Sequence, residues 1–108
     1  MTKIFELVTA TIRLEKSSEF HELHKTRLIP ILDRYGVKPV FLSVTYVGGG
    51  LGTFYDIYEY SNLAEYERIS DLIESDPELS EYYKLIQGCI LGTIELKLLR
   101  AMEYSPIQ

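Results

Sequence analysis

The apolar and polar positions along the chain fall into a strand–helix–strand–strand–helix–strand order. Ile4 to Ile12 is rich in β-branched residues and predicts the first strand. A helix follows, with Ser17 or Ser18 as its N-cap and Glu19 in its first turn, where the helix dipole favours a carboxylate. Its apolar members Phe20, Leu23, Leu28, Ile31 and Tyr35 recur on one face, and Gly36 is the natural residue to end it. Pro30 lies inside this span and predicts a kink or a separate last turn. Val40 to Val47 and Thr53 to Tyr60 read as two strands joined by the short loop Gly48-Gly49-Gly50-Leu51-Gly52, hence a hairpin. Asn62 with Glu65 forms a capping pattern for the next helix, which carries Tyr66, Ile69 and Ile73 on one face. Asp76-Pro77 is a fresh N-cap and first-turn proline. Leu79, Tyr82, Tyr83 and Ile86 then give a second apolar stripe, with Gly88 and Gly92 bracketing its end. Thr93 to Met102 is the last strand, where Ile94, Leu96 and Leu98 alternate with Glu95 and Lys97.

This order predicts an α+β domain over residues 1–108, a ferredoxin-like βαββαβ fold with a four-stranded antiparallel sheet and helices on one face. The sheet is apolar on both sides. Val40, Leu42, Val44 and Tyr46 point one way and Phe41 and Val47 the other, while Tyr55 and Ile57 oppose Phe54, Tyr58 and Tyr60. A face left bare would exceed the apolar patch a monomer usually exposes, so a homodimer that pairs two sheets is expected.

Composition narrows the functional classes. The net charge is −5 and the 11 basic residues are scattered, which argues against a nucleic-acid binder. No apolar run approaches the roughly 20 residues needed to span a bilayer. The opening Met1-Thr2-Lys3-Ile4 enters a strand pattern at once, so no signal peptide is expected. Cys89 is the single cysteine, which suits a reducing, cytoplasmic location. Nine tyrosines without a tryptophan suit surfaces that are apolar yet need a polar tip, such as interfaces and ligand pockets.

The candidate chemistry centres on the first helix. At about 100° per residue, His24 and Arg27 fall within its apolar face and His21 toward its edge. Polar groups aimed at a sheet must be satisfied internally or line a wet cavity. One reading is a ligand pocket, with His24 as proton acceptor and Arg27 holding an anionic group. The other has His24 bonded to a tyrosine hydroxyl and Arg27 paired with an acidic neighbour. Asp56 lies in what should be a central strand, where Tyr46, Tyr58 or Arg27 could satisfy it; its sharper reading is a general base. His21 and His24 are spaced to share a metal, but no third ligand is set, so neither a metal nor a cofactor is called for. The glycine loop lacks the lysine and following helix of a phosphate-binding loop. Cys89 has no basic neighbour and reads as a packed small residue.

Four segments resemble the NIPSNAP family. These are Phe5-Glu6-Leu7-Val8-Thr9, Tyr55 to Tyr60 (Y-D-I-Y-E-Y), Leu28-Ile29-Pro30-Ile31-Leu32 and Ser75-Asp76-Pro77-Glu78-Leu79. The chain departs from the family pattern at Val8, where an arginine is common, and at Tyr58 and Leu79, which replace tryptophans. The resemblance implies a dimeric α+β barrel, binding of a small, mainly apolar ligand or a protein partner, and no agreed catalytic residues. The wider superfamily includes monooxygenases. The alternative it leaves open is a cofactor-independent monooxygenase or isomerase acting on an aromatic or polyketide-like substrate. In that case His24 would be the base, with Arg27, Asp56 and Tyr58 around the substrate.

Overall fold

A computed structural model describes residues 2–108. Strand β1 (Ile4–Ile12) is followed by a 3₁₀ turn and helix α1 (Ser17–Leu23). The same helical rod continues through a π turn (His24–Leu28) into α2 (Ile29–Arg34). Strands β2 (Lys38–Val44) and β3 (Thr53–Tyr60) form the hairpin; α3 (Leu63–Glu74), α4 (Pro77–Ile86) and β4 (Ile90–Leu99) complete the chain. The four strands lie in the order β2-β3-β1-β4 with every neighbouring pair antiparallel, the ferredoxin-like arrangement.

The caps of α3 and α4 form as the side-chain chemistry dictates. Asn62 Oδ1 accepts the Glu65 N–H at 2.9 Å, and Asp76 Oδ1 accepts the Glu78 N–H at 2.8 Å. Asp76 does more: its other oxygen takes hydrogen bonds from Tyr35 and Arg34, tying the end of α2 to the start of α4. The Tyr35 bond holds the Asp76 carboxyl below its ordinary value.

Three local features differ from the sequence pattern. Ser17 does not cap α1, because the 3₁₀ turn Leu14–Lys16 leads straight into the helix and puts Lys16 at the cap position. Strand β2 begins at Lys38 and ends at Val44; a register shift after Pro39 absorbs the proline, which has no N–H to give the ladder. Tyr46 and Val47 therefore lie in the loop, 92% and 83% exposed. Strand β4 begins at Ile90, and Gly92, at φ +77°, lies within it near a register shift against β1. The hairpin loop is held by Gly52, whose carbonyl accepts the Ile12 N–H. At φ +89° a Cβ there would stand 2.8 Å from the Ile12 carbonyl oxygen, so a larger residue does not fit.

The core lies between the helices and β1–β3, built on Phe20, Ile12, Phe54, Tyr58, Tyr82 and Cys89. The helix layer does not reach the edge strand. Ile94, Leu96 and Leu98 face the helix side of β4 yet remain 41%, 51% and 40% exposed. On the opposite face, Leu7, Tyr55 and Leu91 lie among Thr9, Thr11, Glu95 and Lys97 around a shallow depression. That face is more polar than the β2 and β3 patterns suggested, because β1 and β4 supply threonines and charges there.

Candidate functional site

The π turn decides which side chains of the first helical rod meet the sheet. Pro30 has no N–H, and its ring would meet the Thr26 carbonyl in a regular helix. The wider turn relieves this, with the Ile29 N–H reaching back to the His24 carbonyl. Each residue of such a turn advances through a smaller angle. Arg27 therefore falls short of the inner face and is exposed, outside the cavity described below. His24, at the start of the turn, stays inward and is 8% exposed.

Opposite it stands Asp56, 3% exposed on β3. His24 Nε2 lies 2.6 Å from Asp56 Oδ2, and the Tyr58 hydroxyl donates to the same oxygen at 3.0 Å. Tyr58 is two residues along the strand, so both side chains share one face. Burial, with the Asp56 charge beside it, pushes the Tyr58 hydroxyl far up, so it holds its proton and donates. An oxygen accepting from Tyr58 leaves the imidazole to donate through Nε2–H. In the neutral imidazole, Nδ1 is then the lone-pair nitrogen. Neither His24 Nδ1 nor Asp56 Oδ1 has a protein partner among the described residues, and no buried side-chain nitrogen or oxygen is left unpaired there. Both atoms therefore reach accessible space.

Two cavities meet at this pair. The larger, about 410 Å³, lies between the helices and the sheet. The smaller, about 160 Å³, lies toward β2 and is bounded by His21, Leu42 and Ser43. His24, Asp56, Phe20 and Phe54 line both. Phe20 and Phe54 stack at 5.2 Å and fix the floor on which the imidazole rests. The expected pocket residues thus separate. The structure brings His24, Asp56 and Tyr58 together, and it leaves Arg27 and Tyr46 outside both cavities. His21 borders the smaller cavity, where burial lowers the pKa of its imidazole. No group of three or more His, Cys, Asp or Glu is placed to hold a metal among the described residues.

The pattern along the chain did not single out a second polar group in the larger cavity. Glu6 on β1 pairs across to Tyr58 on β3, and the Tyr60 hydroxyl lies 3.5 Å from Glu6 Oε1. Tyr66 from α3 meets Tyr60 edge-on at 4.9 Å. Burial raises the Glu6 carboxyl above its ordinary value, and hydrogen bonds from Tyr66 and Tyr60 pull it partly back. Strand alternation put Glu6 on the helix side with Val8. A lone glutamate in a strand gives no sign that tyrosines from another element will surround it.

These features define a ferredoxin-like α+β domain with a ligand-sized cavity between its helix layer and its sheet. The NIPSNAP family model matches residues 5–106, and the chain belongs to that family. An uncharacterised NIPSNAP-like domain protein from Burkholderia xenovorans is similar at 23% identity and TM-score 0.85, over 97% of this chain and 90% of that one. A NIPSNAP family protein from Agrobacterium tumefaciens is similar at 20% identity and TM-score 0.87, over 98% and 99%. A candidate antibiotic biosynthesis monooxygenase from Nitrosomonas europaea shares the fold at 8% identity and TM-score 0.72, over 96% and 94%. No functionally curated protein sequence matches the chain. No helix among the described residues is long and apolar enough to cross a membrane.

Proposed function

We propose that this NIPSNAP domain binds a small, mainly apolar ligand in the larger cavity, with a polar atom of the ligand placed at His24 Nδ1 or Asp56 Oδ1. One observation carries this reading: a buried His–Asp–Tyr chain joined through one carboxylate oxygen leaves two atoms unpartnered where cavities of about 410 and 160 Å³ meet. A few convergent polar groups in an otherwise apolar pocket are the usual form of a small-molecule site. A metabolite screen by thermal shift tests it. Compounds that raise the melting temperature of the wild type are expected to lose that effect on Leu96→Trp, which fills the cavity from the exposed edge strand. An equal rise in both proteins would remove the cavity from the site.

The dyad also favours a second reading. Nε2 held by a carboxylate and Nδ1 free is the arrangement of a positioned general base. It would suit a cofactor-independent isomerase or monooxygenase acting on an aromatic or polyketide-like substrate. Incubating each screened ligand with the protein and analysing it by mass spectrometry separates the two readings. An altered ligand supports the enzyme; an unchanged one supports the binding module.

We further propose that the chain works as a homodimer. The exposed Phe41, Tyr55, Leu91 and Leu96 are the support, since two faces of one thin sheet remain only partly covered. Sedimentation velocity at micromolar concentration is expected to show a species of twice the chain mass; a species of monomer mass alone would end this part of the proposal.

A further inference from the structure

The larger cavity has an unusual charge lining. Glu6, Asp56 and Glu74 contribute carboxyl groups to its wall, and no lysine or arginine among the described residues lines it. Among the described residues its only basic side chain is His24, which is already engaged by Asp56. Val8, directly across from Asp56 in the sheet register, is apolar and supplies no counter-charge. At the Glu6 end the wall is aromatic. Tyr60, Tyr66 and Tyr83 come from β3, α3 and α4 and gather near one carboxylate. Asp56 adds an independent sign of a ligand: it is nineteen-twentieths buried by side chain, and its Oδ1 has no protein partner.

We infer that the ligand of this cavity is an organic cation, an amine or ammonium group on an apolar body, with its charge held by Glu6 within the Tyr60–Tyr66–Tyr83 cage. The inference rests on the cavity being a ligand site. The physics favours this charge sign strongly. An anion would enter a wall of carboxylates with no cation to meet it. A cation finds a carboxylate for a charge-assisted hydrogen bond and ring faces for cation–π contact. Burial without a counter-charge already holds the Glu6 carboxyl above its ordinary value, and a bound ammonium would supply what is missing. The overall charge of −5 draws cations toward the protein as well. The two ends of the cavity then divide the work. The Glu6 cage holds the cationic head, and the Phe20–Phe54 floor takes the apolar body, with any further polar atom of the ligand at His24 or Asp56.

Three probes with one phenethyl body and different heads test this: 2-phenylethylammonium, 2-phenylethanol and 3-phenylpropanoate, measured by calorimetry against the full chain. The ammonium is expected to bind most tightly and the carboxylate least. Glu6→Gln is expected to weaken the ammonium about 10- to 100-fold while leaving the alcohol nearly unchanged. Tyr66→Leu, which keeps the fold but removes a ring of the cage, is expected to weaken the ammonium alone. The alcohol or the carboxylate binding as well as the ammonium would overturn the cation inference and leave the ligand cavity standing. So would an ammonium preference that survives Glu6→Gln. Failure of all three probes at millimolar concentration would count against both the inference and the cavity as a ligand site.

Discussion

Phe20→Ala is expected to destabilise the domain by about 3–5 kcal/mol, the range for truncating a buried aromatic ring. Phe20 is 1% exposed and stacks on Phe54 at 5.2 Å, with the His24 ring 5.7 Å away. Its removal joins the two cavities that already meet beside it, so the neighbours have little reason to collapse into the space. For a domain this size the melting temperature should fall by more than about 12 °C. Phe20→Leu keeps most of the volume and should cost under about half as much. Chemical denaturation of both variants checks this. A loss below about 1 kcal/mol for Phe20→Ala would mean that the ring does not hold the helical rod to the sheet.

The second large effect is at Asp56. Asp56→Ala removes the acceptor of both the His24 and the Tyr58 bonds and leaves two buried donors unpaired. The expected cost is about 2–5 kcal/mol, since each of two buried donors left without its acceptor carries a desolvation penalty. Asp56→Asn separates stability from function. Both bonds fall on Oδ2, so the amide oxygen takes that place, still accepts from Tyr58 and from His24 Nε2–H, and puts an N–H₂ where the unpartnered Oδ1 stood. We expect Asp56→Asn to lose only about 1 kcal/mol yet to lose binding of any ligand that needs an acceptor at Oδ1. Denaturation curves for both variants, with thermal shifts in the presence of a ligand found for the wild type, check the pair. Equal stability losses would show that the hydrogen-bond pattern is unimportant, and full ligand response in Asp56→Asn would show that the Oδ1 acceptor is not used.

Much of the fold was legible in the chain because local rules and burial agree there. β1 and β3 run where their β-branched and aromatic residues predicted, and Asn62 and Asp76 cap the helices they precede. The misplaced ends have local causes. Pro39 and Gly92 sit within β2 and β4 at or near register shifts, and period-two patterning does not anticipate a bulge. At the site, His24 and Asp56 could be noticed because each is a polar residue in an apolar setting. Their partnership could not, since they are 32 residues apart and meet only through the crossover. Arg27 was misread for a single reason. The wheel assumed a regular α-helix, and Pro30 forces a π turn that rotates Arg27 outward. Tyr46 was misplaced because β2 ends at Val44. The Glu6 cage draws on β1, β3, α3 and α4, so no one segment carries its pattern.

The central claim is that Asp56 fixes the proton of His24 on Nε2 and so presents Nδ1 as a lone pair to the cavity. Long-range ¹H–¹⁵N correlation spectra of the free protein measure this directly, and His21 and His24 are the only histidines to assign. At a pH where the imidazoles are neutral, His24 should show a protonated Nε2 and an unprotonated Nδ1, and Asp56→Asn, whose oxygen can take the Oδ2 place, should show the same. A wild-type spectrum with the proton on Nδ1, or with His24 averaging freely between tautomers, would contradict the account.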